Sequence, residues 1–233
     1  MLVLSLFPGI GLLDQAFEEE GFCIVRGPDL LWGGNIKRFH PPAGRFDGII
    51  GGPPCQAFSR LRYVVEHNGG KIAENLIPEF ERCIAEAQPS WFLMENVPDA
   101  PLPSVPGYEV RAQLFDNRWC GGVQHRTRRI SFGTRDGRRL DIPGELFQEV
   151  EWAPAVCASG VPKPGIPTDN QTKLKYMGWK TKEAFVQAKR LQGLPDDFDL
   201  PNFTTAGAIK AVGNGVPLPL GRAIARAVRE VIA

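Results

Sequence analysis

One cysteine of this chain sits where a thiol can act as a nucleophile. Cys55 closes the run Gly51-Gly52-Pro53-Pro54-Cys55-Gln56, and the two prolines stiffen its approach. A thiol at a strand end that opens a helix has a lowered pKa and offers more thiolate, the form that attacks carbon. The other cysteines, Cys23, Cys83, Cys120 and Cys157, lack such a setting and are expected to be buried and inert. Glu95 comes directly after the apolar run Trp91–Met94 and is followed by Asn96-Val97. A carboxyl at the dry end of a sheet suits a proton donor near neutral pH, although a capping or salt-bridged surface glutamate reads the same way. Gln124, Arg126 and Arg128 alternate, so a strand would place all three on one face. Planar polar groups in that arrangement suit a base or a phosphate, or else form an exposed charged edge.

Those residues need a scaffold. Leu2–Phe7 is a short apolar run that ends in Pro8-Gly9-Ile10-Gly11, and the pattern from Leu12 to Glu20 is that of an amphipathic helix. Glycines at such a turn allow close backbone approach, and the helix start offers free N–H groups to a ligand. Taken alone, the segment is also compatible with a plain strand-to-helix turn. It is not GxGxxG, which disfavours a dinucleotide pyrophosphate site. Further apolar runs at Phe22–Val25, Asp47–Ile50 and Trp91–Met94, with helical spacing over Ile72–Ala87, alternate strand with helix. Tyr108–Phe115 and Arg129–Phe132 add strands, and Pro217–Ile232 is a final helix. The pattern predicts an α/β fold, a doubly wound parallel sheet with ligands at the carboxyl ends of its strands. Residues 134–180 are rich in Pro, Gly, Lys and Arg and predict a small irregular second lobe, and helical spacing returns from Thr181.

Composition narrows the function classes. The chain has 233 residues, 43% hydrophobic and 23% charged, values ordinary for a globular protein. No apolar run approaches the roughly 18 residues of a membrane span, and Met1–Phe7 reads as a buried strand rather than a signal peptide. Five cysteines without a CxxC, and three histidines without a zinc spacing, favour a reducing cytoplasm and give no support to a metal site. The formal net charge is +1, so a nucleic-acid partner must meet a local basic surface.

In combination these segments resemble the cytosine-C5 DNA methyltransferases, in particular their compact bacterial or phage-type members. The ordered set is Phe7-x-Gly9-x-Gly11, Gly52-Pro53-Pro54-Cys55-Gln56, Glu95-Asn96-Val97, Gln124-x-Arg126-x-Arg128, Arg190-Leu191-Gln192-Gly193-Leu194-Pro195 and Gly213-Asn214-Gly215-Val216-Pro217. The resemblance implies a Rossmann-like, S-adenosylmethionine-dependent methyltransferase sheet. Residues 1–133 and 191–233 would form the catalytic, cofactor-binding domain, and 134–190 a small target-recognition lobe.

The resemblance also implies roles. Cys55 would add to C6 of a flipped cytosine in double-stranded DNA, Glu95 would hold the ring's N3 and amine, and Arg128 would hold O2, supported by Arg126 and Gln124. Phe7, Gly9, Ile10, Gly11, Asp29, Asn35, Ile36, Pro54, Leu76, Asn214 and Val216 would bind S-adenosylmethionine and, after transfer, S-adenosylhomocysteine. The segment Gln56–Gly70, with Arg60 and Arg62, matches the loop that closes over the base. Four departures stand out: Leu12 where a glycine is common, Asn35 in place of an aspartate, Phe185-Val186-Gln187-Ala188-Lys189 in place of the usual Leu-Thr and Arg-Glu signature, and a recognition lobe of few residues. The short lobe implies a short site or help from a partner chain, the protein otherwise being a monomer. An RNA cytosine-C5 methyltransferase and a non-catalytic DNA-binding homologue are the alternatives.

Overall fold

The computed structural model describes residues 1–54, 58, 74–144, 153–157, 160–161 and 181–233. Cys55, the segment Gln56–Gly70 apart from Phe58, and most of the expected recognition lobe lie outside these residues.

Six strands form one mixed sheet. In chain order, β1 is Leu2–Leu6, β2 Cys23–Arg26, β3 Gly48–Gly51, β4 Trp91–Asn96, β5 Glu109–Asp116 and β7 Thr127–Thr134. Their spatial order is β2-β1-β3-β4-β7-β5. β1, β2, β3 and β4 run parallel, and β7 runs antiparallel to both neighbours. β1, β3 and β4 are covered on both faces, which is why they read as continuous apolar runs rather than alternating ones. β1 has neighbours from opposite directions of the winding, so a crevice opens beyond the carboxyl ends of β1 and β3. The turns Phe7-Pro8-Gly9 and Gly52-Pro53-Pro54 leave the sheet there.

Helices cover both faces. α1 (Leu12–Glu19) turns Leu12, Leu13, Ala16 and Phe17 inward. On the same face, α5 (Leu218–Ile232) contributes Leu220, Ile224, Ala227 and Val228. Their core partners from the sheet are Val3, Ile50, Leu93, Ile130 and Phe132. Phe17 stacks on Trp91 with ring centroids 6.4 Å apart. The opposite face takes α2 (Ile77–Ala87), whose Ile77, Phe80 and Ile84 meet Leu4, Leu6, Ile49, Phe92 and Met94. α2 begins later than the expected start at Ile72, because Leu76 is its N-cap and Pro78 sits in its first turn. A proline lacks the N–H that a longer helix would need at that position.

A third cluster joins α3 (Lys182–Gln192) to α4 (Thr205–Asn214) through Ala184, Ala188, Leu191, Ile209 and Val212, with Leu12 of α1 beneath them. Residues 182–190 therefore share a core with the C-terminal helices. Two short parallel strands, β6 (Gln124–His125) and β8 (Ala153–Pro154), form a separate sheet. Cys83 is buried as expected, and burial pushes its thiol up to about 11. Cys23 is exposed on the edge strand β2, because a four-residue edge strand is covered on one side only. Among the described residues, no helix is long and apolar enough to cross a membrane.

Candidate active site

The strand register brings Glu95 and Arg128 together. Glu95 lies opposite Ile130 in the β4–β7 ladder, and Arg128 is two residues from Ile130 on the same face. This diagonal relation lets long side chains meet. Arg128 Nε lies 2.8 Å from Glu95 Oε1, and both side chains are largely buried. The approach is an ion pair without a well-aligned hydrogen bond, so among the described residues Glu95 Oε1 has no directed donor. Arg128 is fixed in turn by donating from Nη1 to Thr127 O at 2.8 Å. Glu95 and Asn96 are the last two residues of β4, where the expected strand stopped at Met94.

The turn that leads to Cys55 is tied to the same place. Asn96 Nδ2 donates to Pro53 O at 3.1 Å. A β-carbon at Gly52 would sit 3.3 Å from Glu95 Oε2, so the glycine backbone closes down on the carboxylate. Cys55 itself is outside the described residues and follows Pro54 directly in the chain.

Gln124 and Arg126 do different work from Arg128. Both are buried, which excludes the exposed charged edge that their sequence also allowed. Gln124 Nε2 donates to Leu191 O and to Gln192 Oε1, at 2.6 and 2.7 Å, and its Oε1 accepts from Val156 N. Arg126 donates to Val156 O at 2.6 Å, Gly213 O at 3.0 Å and Gly215 O at 3.1 Å. Gln192, to which the sequence reading gave no role, completes the network by donating to Val212 O and Gly215 O. The single expected face is thus divided. Arg128 meets Glu95, while Gln124 and Arg126 anchor the segment Gly213–Gly215 to β6. The chain leaves one sheet for the other at Arg126, so simple alternation does not carry through.

A cleft of about 230 Å³ lies at the carboxyl ends of β1 and β3. Phe7, Asp29, Asn35, Ile36, Pro54 and Leu76, all expected cofactor residues, line it together with Pro28, Leu30, Gly34, Lys37 and Glu74. Gly9, Ile10, Gly11, Asn214 and Val216 are not on its wall. Val216 joins the core under α5, and Asn214 is exposed at the end of α4. Phe7 takes a left-handed backbone conformation, with φ at 57°. Gly9 and Gly11 follow with positive φ, and the space beside Gly11 is filled by the Arg26 guanidinium.

The glycine turn is clamped by residues around it. Asp29 accepts from Gly9 N at 2.9 Å through one oxygen and from Leu31 N at 2.7 Å through the other. Trp32 Nε1 donates to Gly9 O at 2.6 Å. Asn35 Oδ1 accepts from Lys37 N at 3.0 Å. Each of these oxygens keeps a second lone pair for a ligand. Lys37 Nζ reaches both Glu74 oxygens at 2.7 Å across the rim. Beneath the turn, burial pushes the Asp14 carboxyl above its usual range, against the opposing pull of Ser5 and Arg26. Trp32, Lys37, Glu74 and Asp14 carry no sequence signal, since their partners are remote in the chain. Among the described residues, no cluster of His, Cys, Asp and Glu is arranged to hold a metal.

The mixed sheet with an antiparallel β7 and a crevice at its switch point is a Rossmann-like α/β fold. The methyltransferase EhMeth of Entamoeba histolytica shares it, with a TM-score of 0.66 over 100% of this chain and 99% of that one, at 12% identity. The profile of the C-5 cytosine-specific DNA methylases matches residues 34–101 and 186–230. The Type II methyltransferase M.HgiDI of Herpetosiphon aurantiacus is 29% identical over 181 residues, 64% of this chain and 57% of that protein. M.AgeI of Thalassovita gelatinovora, also a Type II methyltransferase, is 25% identical over 244 residues, covering 88% of this chain and 53% of the relative. The chain spans about half the length of these two curated relatives. Together the profile and the relatives support the cytosine-C5 methyltransferase family for this chain.

Proposed function

We propose that this protein transfers a methyl group from S-adenosylmethionine to C5 of cytosine in double-stranded DNA. The observation that carries the reading is the buried Glu95–Arg128 pair, closed over by Gly52 three residues before Cys55. A carboxyl oxygen held by charge, with no directed donor among the described residues, suits a hydrogen bond to a ring nitrogen or amine that arrives with the substrate.

The residues divide the work. Cytosine C5 is a poor nucleophile. Addition of the Cys55 thiolate to C6, with a proton shared between Glu95 and N3, turns C5 into an enamine-like carbon. S-adenosylmethionine supplies the electrophilic methyl. Loss of the C5 proton then expels Cys55 and restores the ring. Arg128 keeps Glu95 in place and faces the base O2. The target base must leave the duplex first, at a cost of a few kcal/mol.

The cofactor fits the cleft by the chemistry of its walls. Phe7, Ile36, Pro54 and Leu76 offer apolar surface to a flat ring system, Asn35 offers an amide oxygen, and Asp29 offers carboxylate lone pairs to hydroxyls. Pro54 lines this cleft and adjoins Cys55 in sequence, which accounts for methyl donor and nucleophile being served by one turn. Gln124, Arg126 and Gln192 support the arrangement by fixing the Gly213–Gly215 segment behind it.

A duplex carrying 5-fluorocytosine, incubated with the protein and S-adenosylmethionine, tests this reading. Fluorine cannot leave C5 as a proton does, so a working enzyme is trapped. A denaturation-resistant adduct that maps to Cys55, and is lost in Cys55→Ala, is the expected result. An adduct on tRNA alone would move the substrate to RNA. The absence of an adduct on either, with cofactor bound, would leave a fold without turnover.

A further inference from the structure

Ile36–Arg38 is a single turn of 3₁₀ helix, capped by the Asn35 side chain. One such turn has little stability of its own. Yet Asn35, Ile36 and Lys37 form one wall of the cleft, so something outside must hold them. Arg82 on α2 does so without lining the cleft. Its Nη2 donates to Ile36 O at 2.9 Å and to Phe39 O at 3.0 Å, gripping the turn at both ends. The guanidinium is itself held in place. Nε donates to Glu79 at 2.8 Å, and Nη1 lies 2.7 Å from Glu86 Oε1 and 3.3 Å from His40 Nδ1. His40 also faces Glu86, at 3.1 Å. Four of the five N–H donors of this arginine meet a carboxylate or carbonyl oxygen and the fifth faces the His40 ring, in a fork that a lysine ammonium cannot reproduce.

We propose that Arg82, oriented by Glu79 and Glu86, is a positioning residue that presets the Asn35–Lys37 wall of the cleft and so sets affinity for the adenosyl end of the cofactor. The inference rests on the reading of the cleft as the S-adenosylmethionine site. Its spacing explains the device. Glu79, Arg82 and Glu86 lie three and four residues apart on one helix face, so the two carboxylates flank the guanidinium. The same helix begins directly after Leu76, which lines the cleft, so one element supplies an apolar wall and a clamp for the polar one.

Titration calorimetry with S-adenosylhomocysteine tests this on the full chain. The proteins compared are wild type, Arg82→Met, Arg82→Lys, Glu86→Gln and, as a control, Arg222→Met. Arg222 pairs with Glu19 between α5 and α1, a more exposed ion pair than that of Arg82 and remote from the cleft wall. Arg82→Met should weaken binding about tenfold to a hundredfold, as two charge-assisted hydrogen bonds to the turn are lost. Arg82→Lys should fall near it, and Glu86→Gln should shift the same way by a smaller factor. Arg222→Met should lower Tm and leave Kd unchanged. In turnover, KM for S-adenosylmethionine should rise in the Arg82 variants while kcat at saturating cofactor stays within about threefold. Should Arg82→Met not fold, Arg82→Lys and Glu86→Gln make the same comparison. Unchanged Kd in folded Arg82 variants, or loss confined to kcat, overturns the proposal. A wild-type protein that binds no S-adenosylhomocysteine instead overturns the assignment of the cleft.

Discussion

Glu95→Gln and Arg128→Met, singly and together, form a thermodynamic cycle around the pair at the end of the sheet. At 2.8 Å and an effective dielectric of about 20, opposite unit charges attract by about 6 kcal/mol. Desolvation of two largely buried groups offsets much of that, and directly interacting pairs show couplings of about 0.5–3 kcal/mol. The geometry here, with both side chains mostly covered, places the expected coupling at about 1–3 kcal/mol. Glu95→Gln leaves the guanidinium uncompensated and should destabilise the fold by about 2–3 kcal/mol, a fraction of which Arg128→Met restores in the double variant. Denaturant unfolding of the four proteins measures this. The same variants in single-turnover transfer of a labelled methyl to duplex DNA report on chemistry, where loss of a positioned acid costs about 10²–10⁴ in rate. A coupling below about 0.5 kcal/mol, or a Glu95→Gln rate within threefold of wild type, would refute the role given to the pair.

Two glycines on β3 and its turn should separate folding from chemistry. Gly48→Ala drives a β-carbon to 2.1 Å from the Trp91 ring and should cost about 3 kcal/mol or more, seen as a large fall in Tm. Among the described residues, Gly52→Ala meets Glu95 Oε2 at 3.3 Å and Glu95 O at 3.8 Å, so it should fold normally and lose rate, by up to about 10² if the carboxylate is displaced. Arg126→Met removes the donor to the buried Val156 and Gly213 carbonyls, and one of two donors to the part-buried Gly215 carbonyl, and should destabilise by about 3 kcal/mol, with increased hydrogen exchange at Gly213–Gly215. Unaltered exchange there would show that the segment is held by other means. Asp116 is buried, which opposes ionisation, but hydrogen bonds from the Arg118 side chain and backbone and from Thr127 outweigh burial and hold its carboxyl below the usual 3.8. Its stabilising contribution is complete above that unfolded-state value and disappears as pH falls through the lowered folded one. Asp116→Asn should therefore flatten the acid limb of the stability profile below about pH 4, and an unchanged limb would remove Asp116 as its cause.

The sequence by itself determined the scaffold and the chemical inventory. Continuous apolar runs at β1, β3 and β4 and amphipathic spacing in α1 and α5 follow from local pattern, which is what periodicity reports. So did the turn before Cys55 and the presence of Glu95 and Arg128, because each is carried by a short contiguous motif. The start of α2 was missed because helical spacing continued upstream of Pro78, and only backbone hydrogen-bonding rules end it there. The division of labour among Gln124, Arg126 and Arg128 was equally hidden, because alternation describes one strand and the chain changes sheets at Arg126. Asp29 and Asn35 were legible as cofactor candidates, and the Asn35 bond to Lys37 N two residues on is local, yet the hold of Asp29 on the Gly9 backbone depends on loops that only folding brings together. Gln192, Trp32 and Arg82 show the same limit most clearly. Each acts on backbone carbonyls 20 to 46 positions away, with the bond partners at Val212, Gly9 and Ile36. A carbonyl has no residue identity, so no spacing of side chains in the sequence can announce which donor will find it. That choice is made when the sheet, the glycine turn and the helices close on one another.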